Sequence, residues 1–118
     1  MKLLSASPVL AVQDLALSSQ WFVDVFDCAL QPIDDGNWVF ATNGSLTFML
    51  GSCPEERPAS EIGMHSYLAY VLVDDINAIY ERAVRCRARI LSQPKVEPWG
   101  RTEMALEAPE GHRFMVAQ

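Results

Sequence analysis

The sequence is poor in the residues that bind metals and form covalent bridges: it has two histidines and three cysteines among 118 residues. Cys28, Cys53 and Cys86 form an odd set with no Cys-x-x-Cys spacing, which excludes a zinc ribbon and argues against a disulfide framework. Free thiols suit a reducing compartment, so the expected localisation is cytoplasmic. Basic residues are also scarce. Nine Lys and Arg against fifteen Asp and Glu leave a net charge of −6, and no Lys/Arg cluster forms the basic face a nucleic-acid binder needs. The densest basic run, Arg82, Arg85, Arg87 and Arg89, closes a helical stretch, where cations complement the helix dipole. No apolar run approaches the roughly 20 residues of a membrane span. The opening "MKLLSASPVLAVQD" is broken by Ser5, Ser7 and Pro8 and alternates like a strand, so it reads as the first strand and not as a signal peptide. Neither nucleic acid nor membrane is an expected partner.

Half of the residues are hydrophobic and a fifth are charged, enough apolar material for one packed domain. The chain also repeats itself. "VLAVQDLALSSQWFVDVFDCAL" and "AYVLVDDINAIYERAVRCRARIL" each run from an apolar strand to an aspartate, then through an amphipathic helix into another strand. Asp14 and Asp75 stand 61 positions apart, as do Trp38 and Trp99, whereas Phe48-Met49 and Phe114-Met115 are offset by 66. The second copy therefore carries a short insertion.

Local patterns give each copy its elements. Asp14 and Asp75 are placed to cap helices, their carboxylates accepting free backbone N–H groups. Leu15, Leu17, Trp21, Phe22, Val25 and Phe26 line overlapping faces of the first helix. Ile76, Ile79, Tyr80, Ala83 and Val84 fall at helical spacing in the second, where Glu81 stands four before Arg85. Strands are expected at 29–34, 37–42 and 45–50, joined by "DDGN" and "NG" turns, and at 89–97, 101–108 and 112–117, the last two joined through "APEG". The fold class is α+β: two βαβββ modules with mixed sheets. Module one covers 1–51 and module two 65–118, with the turn-rich segment 52–64 as a linker. One helix covers one face of a four-stranded sheet, so the other face needs a partner. Two modules can close around a shared cavity within a chain or between chains, and the expected arrangement is a swapped homodimer.

Paired modules carrying "VLAVQDL", "YVLVDDI", "GNWVF…NG" and "WGRTEMALEAPEGHRF" resemble the vicinal oxygen chelate superfamily, which includes glyoxalase I, extradiol dioxygenases and bleomycin-resistance proteins. The resemblance covers nearly the whole chain. It implies metal ligands on four strands: one seven residues before each helix-capping Asp, and one on the last strand of each module. Here those places hold Ser7, Leu68, Met49 and Met115. A hydroxyl, two thioethers and a leucine offer little to a hard divalent ion. No metal and no other cofactor is expected, and no catalytic residue is assigned. Among the metal-free branches the pattern is nearest to bleomycin-resistance proteins.

Strand alternation places Ser7, Leu68, Tyr70, Met49, Met115, Trp38, Phe40, Trp99 and Arg101 toward the expected ligand space. Such an apolar, aromatic surface suits a hydrophobic or cationic small molecule, and the expected use is sequestration of an antibiotic or toxic compound. Two other readings stand beside it. One is a lyase, isomerase or dioxygenase with displaced ligands His65, Glu103 or Glu107, or a metal-free enzyme using Tyr70, Glu103 or Arg101. The other is a module that pairs with another protein.

Overall fold

The computed structural model describes residues 1–63 and 66–118. Module one runs β1 (Val9–Val12), α1 (Leu15–Phe26), β2 (Ala29–Ile33), β3 (Trp38–Asn43) and β4 (Leu46–Ser52). A short helix, α2 (Ala59–Ile62), lies in the connecting segment. Module two runs β5 (Ala69–Leu72), α3 (Ile76–Arg85), β6 (Arg89–Val96), β7 (Thr102–Glu107) and β8 (Arg113–Ala117). Each module forms one four-stranded mixed sheet, ordered β1-β4-β3-β2 and β5-β8-β7-β6, with one parallel pair in each. The expected α+β class with duplicated βαβββ modules is the architecture seen.

Both helices start where the aspartates placed them. The Asp14 carboxylate accepts the Leu17 N–H and that of Asp75 accepts the Ala78 N–H. The "DDGN" turn needs three successive left-handed residues, Asp34, Asp35 and Gly36, a conformation that Asp tolerates and Gly favours.

The modules meet through their helix-covered faces. Phe22, Phe26 and Trp21 of α1, Phe48 of β4 and Phe114 of β8 join in one aromatic cluster, with Phe114 centroids 5.6–5.9 Å from the other four. Phe22, Phe48 and Phe114 are all buried. Arg82 of α3 donates to the Val23 and Asp24 carbonyls at the end of α1 and pairs with Asp27 at 2.8 Å. The basic run thus complements the neighbouring helix's C-terminus as well as its own. The expected Glu81–Arg85 pair does not form among the described residues. Leu17 and Val84 also depart from expectation: both are exposed, because each lies at the rim of its helix's apolar stripe.

A second tie comes from the "APEG" turn. The Glu110 carboxylate accepts the backbone N–H groups of Gln13 and Asp14 at 2.7 and 2.9 Å, so module two caps the chain entering α1. Against the same turn lies the linker: Ser60 N–H donates to the Glu110 carbonyl. A Cβ at Gly111 would come within 2.5 Å of the Ser60 nitrogen, so glycine is required there for contact as well as for its φ of +100°. The thiols of Cys28, Cys53 and Cys86 are unbridged. Among the described residues no helix is long and apolar enough to cross a membrane.

Candidate functional site

Because the modules pack helix side inward, the outer face of each sheet stays open in a single chain. On the first sheet the inner residues Leu10, Val12, Val39, Ala41, Phe48 and Leu50 are buried, and their neighbours Val9, Ala11, Trp38, Phe40, Thr47 and Met49 are exposed or half-exposed. On the second, Tyr70 and Leu72 alternate with buried Val71, and half-exposed Met115 stands between buried Phe114 and Val116. The two outer faces therefore do not close on each other within the chain, which removes the single-chain form of the shared cavity. Two grooves lie beside the module contact: one of about 400 Å³ lined by Trp21, Arg87 and Glu107, one of about 410 Å³ lined by Phe26 and Val71.

Register shows how the predicted site residues meet. On the first sheet Met49 lies between Val9 of β1 and Phe40 of β3. On the second Met115 lies between Tyr70 of β5 and Ala105 of β7. Each place on a closing strand where the resemblance implies a ligand thus sits within an outer face. Ser7 and Leu68 precede β1 and β5, are exposed, and share the alternation of Val9 and Tyr70. Donor chemistry at these places does not fit the divalent metal that the resemblance implies. Ser7 supplies one neutral hydroxyl, Met49 and Met115 supply soft thioethers, and Leu68 supplies nothing. Among the described residues no group of three or more His, Cys, Asp or Glu side chains could hold a metal ion. His65, a proposed displaced ligand, lies outside the described residues. His112 is half-buried beside the turn, and burial lowers its pKa, which favours neutral imidazole.

Trp38 and Trp99, paired in the sequence, occupy different places. Trp38 opens β3 opposite Gly51, and a Cβ at Gly51 would meet the indole at 2.9 Å. The ring lies across the sheet over the one residue type that leaves room for it. Trp99 instead sits in the turn before β7, because β6 is longer than β2 and irregularly paired. Register makes Glu103 the counterpart of Trp38: Trp38 faces Gly51 two residues past Met49, and Glu103 faces Ala117 two residues past Met115.

Trp99 returns to this position from the turn. Its Nε1–H donates to Glu103 Oε2 at 2.6 Å, and the Tyr70 hydroxyl donates to the same oxygen at 2.6 Å. Tyr70 thereby holds the Glu103 pKa below the usual carboxylate range, helped by Trp99, and Glu103 raises that of the Tyr70 phenol. Arg101 is exposed and forms no ion pair among the described residues. Glu107, on the same strand and face, is clamped by Arg89 at 2.7 Å and Arg113 at 3.1 Å. The displaced-ligand set is thus divided: Glu107 is held by two arginines and Glu103 by two aromatic donors. The roles of Gly51 and Glu110 were missed in the sequence. Gly51 is detectable by applying strand parity opposite Trp38; Glu110 gives no local signal, since its partners lie almost a whole chain away.

Comparison with known proteins follows the same lines. Residues 5–116 match the family model described as Glyoxalase/Bleomycin resistance protein/Dioxygenase superfamily. No curated protein sequence matches. Among solved structures, a bleomycin-binding protein complexed with bleomycin is similar, at 20% identity and TM-score 0.75, over 97% of both chains. TioX from Micromonospora sp. ML1 is similar at 22% identity and TM-score 0.74, over 97% of this chain and 98% of that one. A lactoylglutathione lyase from Agrobacterium tumefaciens is similar at 18% identity and TM-score 0.71, over 97% of this chain and 92% of that one. Likeness at this level establishes the fold alone.

Proposed function

The chain belongs to the glyoxalase/bleomycin resistance protein/dioxygenase superfamily, and from that premise we propose that it is a metal-independent binding protein for a small hydrophobic or cationic molecule, acting in the cytoplasm. One observation carries the reading. The places where the resemblance sets metal ligands hold Ser7, Met49, Leu68 and Met115, and they lie on or beside open sheet faces with Trp38, Phe40 and Tyr70 around them. Thioethers adapt to varied ligand shapes and indoles offer flat stacking surfaces. The bleomycin complex among the similar structures supports binding as a use of this fold. The ligand space forms in a swapped homodimer, where the outer face of module one in one copy meets that of module two in the other. This accounts for two sheet faces, one aromatic and one carrying Glu103 beside Tyr70, left without a partner in a single chain. The displaced-ligand form of the enzyme reading gains no support from side-chain geometry, since Glu103 and Glu107 are each engaged by other partners.

Native mass spectrometry of protein purified without chelator tests the proposal. The expected spectrum shows a dimer without stoichiometric divalent metal, and added aromatic cations shift its mass by non-covalent adducts. One divalent ion per chain, together with turnover that depends on it, would overturn the reading.

A further inference from the structure

Glu103 and Glu107 share one strand and one outer face, and the fold treats them differently. Two guanidinium groups neutralise Glu107. Glu103 is as well covered, at 5% exposure, but has no cation in contact among the described residues. Its strand partner Lys95 forms no ion pair with it, and Arg101 is felt only through space. Glu103 thus lacks a counter-charge in contact, and its Oε1 is not among the buried unpartnered atoms, so that oxygen is open to one.

The two aromatic donors do not supply it. Tyr70 and Trp99 both donate to Oε2, while Oε1 accepts no hydrogen bond among the described residues. Their effect is to fix the carboxylate and keep it ionised. Tyr70 reaches it from β5 and Trp99 from the β6–β7 turn, so elements from two sides of the sheet converge on one oxygen. Both rings remain substantially exposed, Trp99 at 65% and Tyr70 at 49%, and present aromatic surface next to an unpaired negative charge. That combination suits a protonated nitrogen: the charge pairs with the carboxylate, the N–H donates to Oε1, and the rest of the molecule lies against the rings. The chain's net charge of −6 adds long-range attraction of the same sign.

We propose that Glu103 is the charge-selecting residue of the binding surface, held by Tyr70 and Trp99 so that Oε1 receives a protonated amine carried on an aromatic body. This rests on the binding-protein reading above and names the ligand chemistry that reading leaves open.

Calorimetric titration with three matched probes tests it: naphthylmethylamine as cation, naphthylmethanol as neutral isostere and naphthoate as anion. The amine is expected to bind roughly tenfold or more tighter than the alcohol, as a charge-assisted hydrogen bond implies, and the anion weakest. Glu103→Gln keeps an oxygen for both donors and removes the charge, so the amine-to-alcohol ratio should fall close to one. Tyr70→Phe and Trp99→Phe each free the carboxylate from one restraint and should lower the ratio without abolishing it. Equal binding of amine and alcohol by the native protein overturns the assignment of Glu103 and leaves the binding reading standing. So does a preference that survives in folded Glu103→Gln, judged by circular dichroism. Failure of all three probes to bind overturns the binding reading and this inference with it.

Discussion

Gly51→Ala probes the contact between sheet and indole that shapes the first open face. A Cβ at this position would stand 2.9 Å from Cη2 of Trp38 and 3.1 Å from Cζ2 and Cζ3. Carbon pairs prefer about 3.5–4.0 Å, so the ring must lift by about 0.5–1 Å or turn away. In a closed core such overpacking costs about 1–3 kcal/mol. Here the ring is half-exposed and free to move outward, which puts the cost near the lower end. The substitution also stabilises through the unfolded chain by about 0.4–1 kcal/mol, because Gly51 has no left-handed backbone to protect. The two effects nearly cancel. Urea unfolding should therefore place the variant within about 1 kcal/mol of the native protein. Ligand binding should change more, since a displaced indole forfeits stacking worth about 0.5–1.5 kcal/mol, up to roughly tenfold in affinity.

Fluorine NMR of protein labelled with fluorotryptophan separates these outcomes. The chain has three tryptophans, and single Trp→Phe variants assign their signals. In Gly51→Ala the Trp38 signal should move while those of Trp21 and Trp99 stay. An unmoved Trp38 signal would show that the ring does not rest on Gly51. A stability loss of several kcal/mol would show instead that Trp38 is locked into a covered core, and the open-face description of the first sheet would fail.

Glu110→Ala removes the acceptor for two backbone N–H groups before α1 and should cost about 1 kcal/mol in chemical unfolding, since both bonds are solvent-exposed; an unchanged midpoint would show that this cross-module cap contributes nothing. The Tyr70–Glu103 bond should set opposite limits with pH. Glu103 has a lowered pKa, so its contribution to stability is present above the ordinary carboxylate value of 4.5 and is lost as pH falls through the folded value. Tyr70 has a raised pKa, so its contribution is present below the ordinary phenol value of 10.0 and is lost as pH rises through the folded value. Glu103→Gln should flatten the acid limb of the stability–pH curve and return the Tyr70 titration, followed by phenolate absorbance, toward its ordinary position. Retention of both features in the variant would mean that other groups cause them.

Much of the frame was legible because its signals are local. The capping carboxylates of Asp14 and Asp75, the "DDGN" turn and the alternation along β3, β4, β5 and β8 act within a few residues, and the half-exposed Met49 and Met115 alternate with the buried Phe48 and Phe114. Pairing Trp38 with Trp99 by a constant offset was misleading. The extra residues of the second copy fall in β6 and the turn before β7, so they precede Trp99 in the frame and shift it off the strand. Contacts between distant segments were not legible. Neither Glu110 at the entry to α1 nor Arg82 across the end of α1 has a sequence pattern, because each joins the two modules through space.

The duplicated halves correspond through their strand register and not through a constant sequence offset. Both halves place a thioether within the outer face, Met49 in one and Met115 in the other. They diverge two residues further along the closing strand. Module one sets a neutral indole over Gly51; module two sets a carboxylate opposite Ala117 and brings an indole to it from a turn. If two copies of the chain bring unlike faces together, each resulting space has one aromatic wall and one wall with a fixed negative charge. A symmetric apolar solvent pocket has no use for that asymmetry, whereas a ligand with an aromatic body and a cationic end has one requirement for each wall. The divergence between the halves is therefore stronger support for an amphipathic, positively charged ligand than either face considered alone.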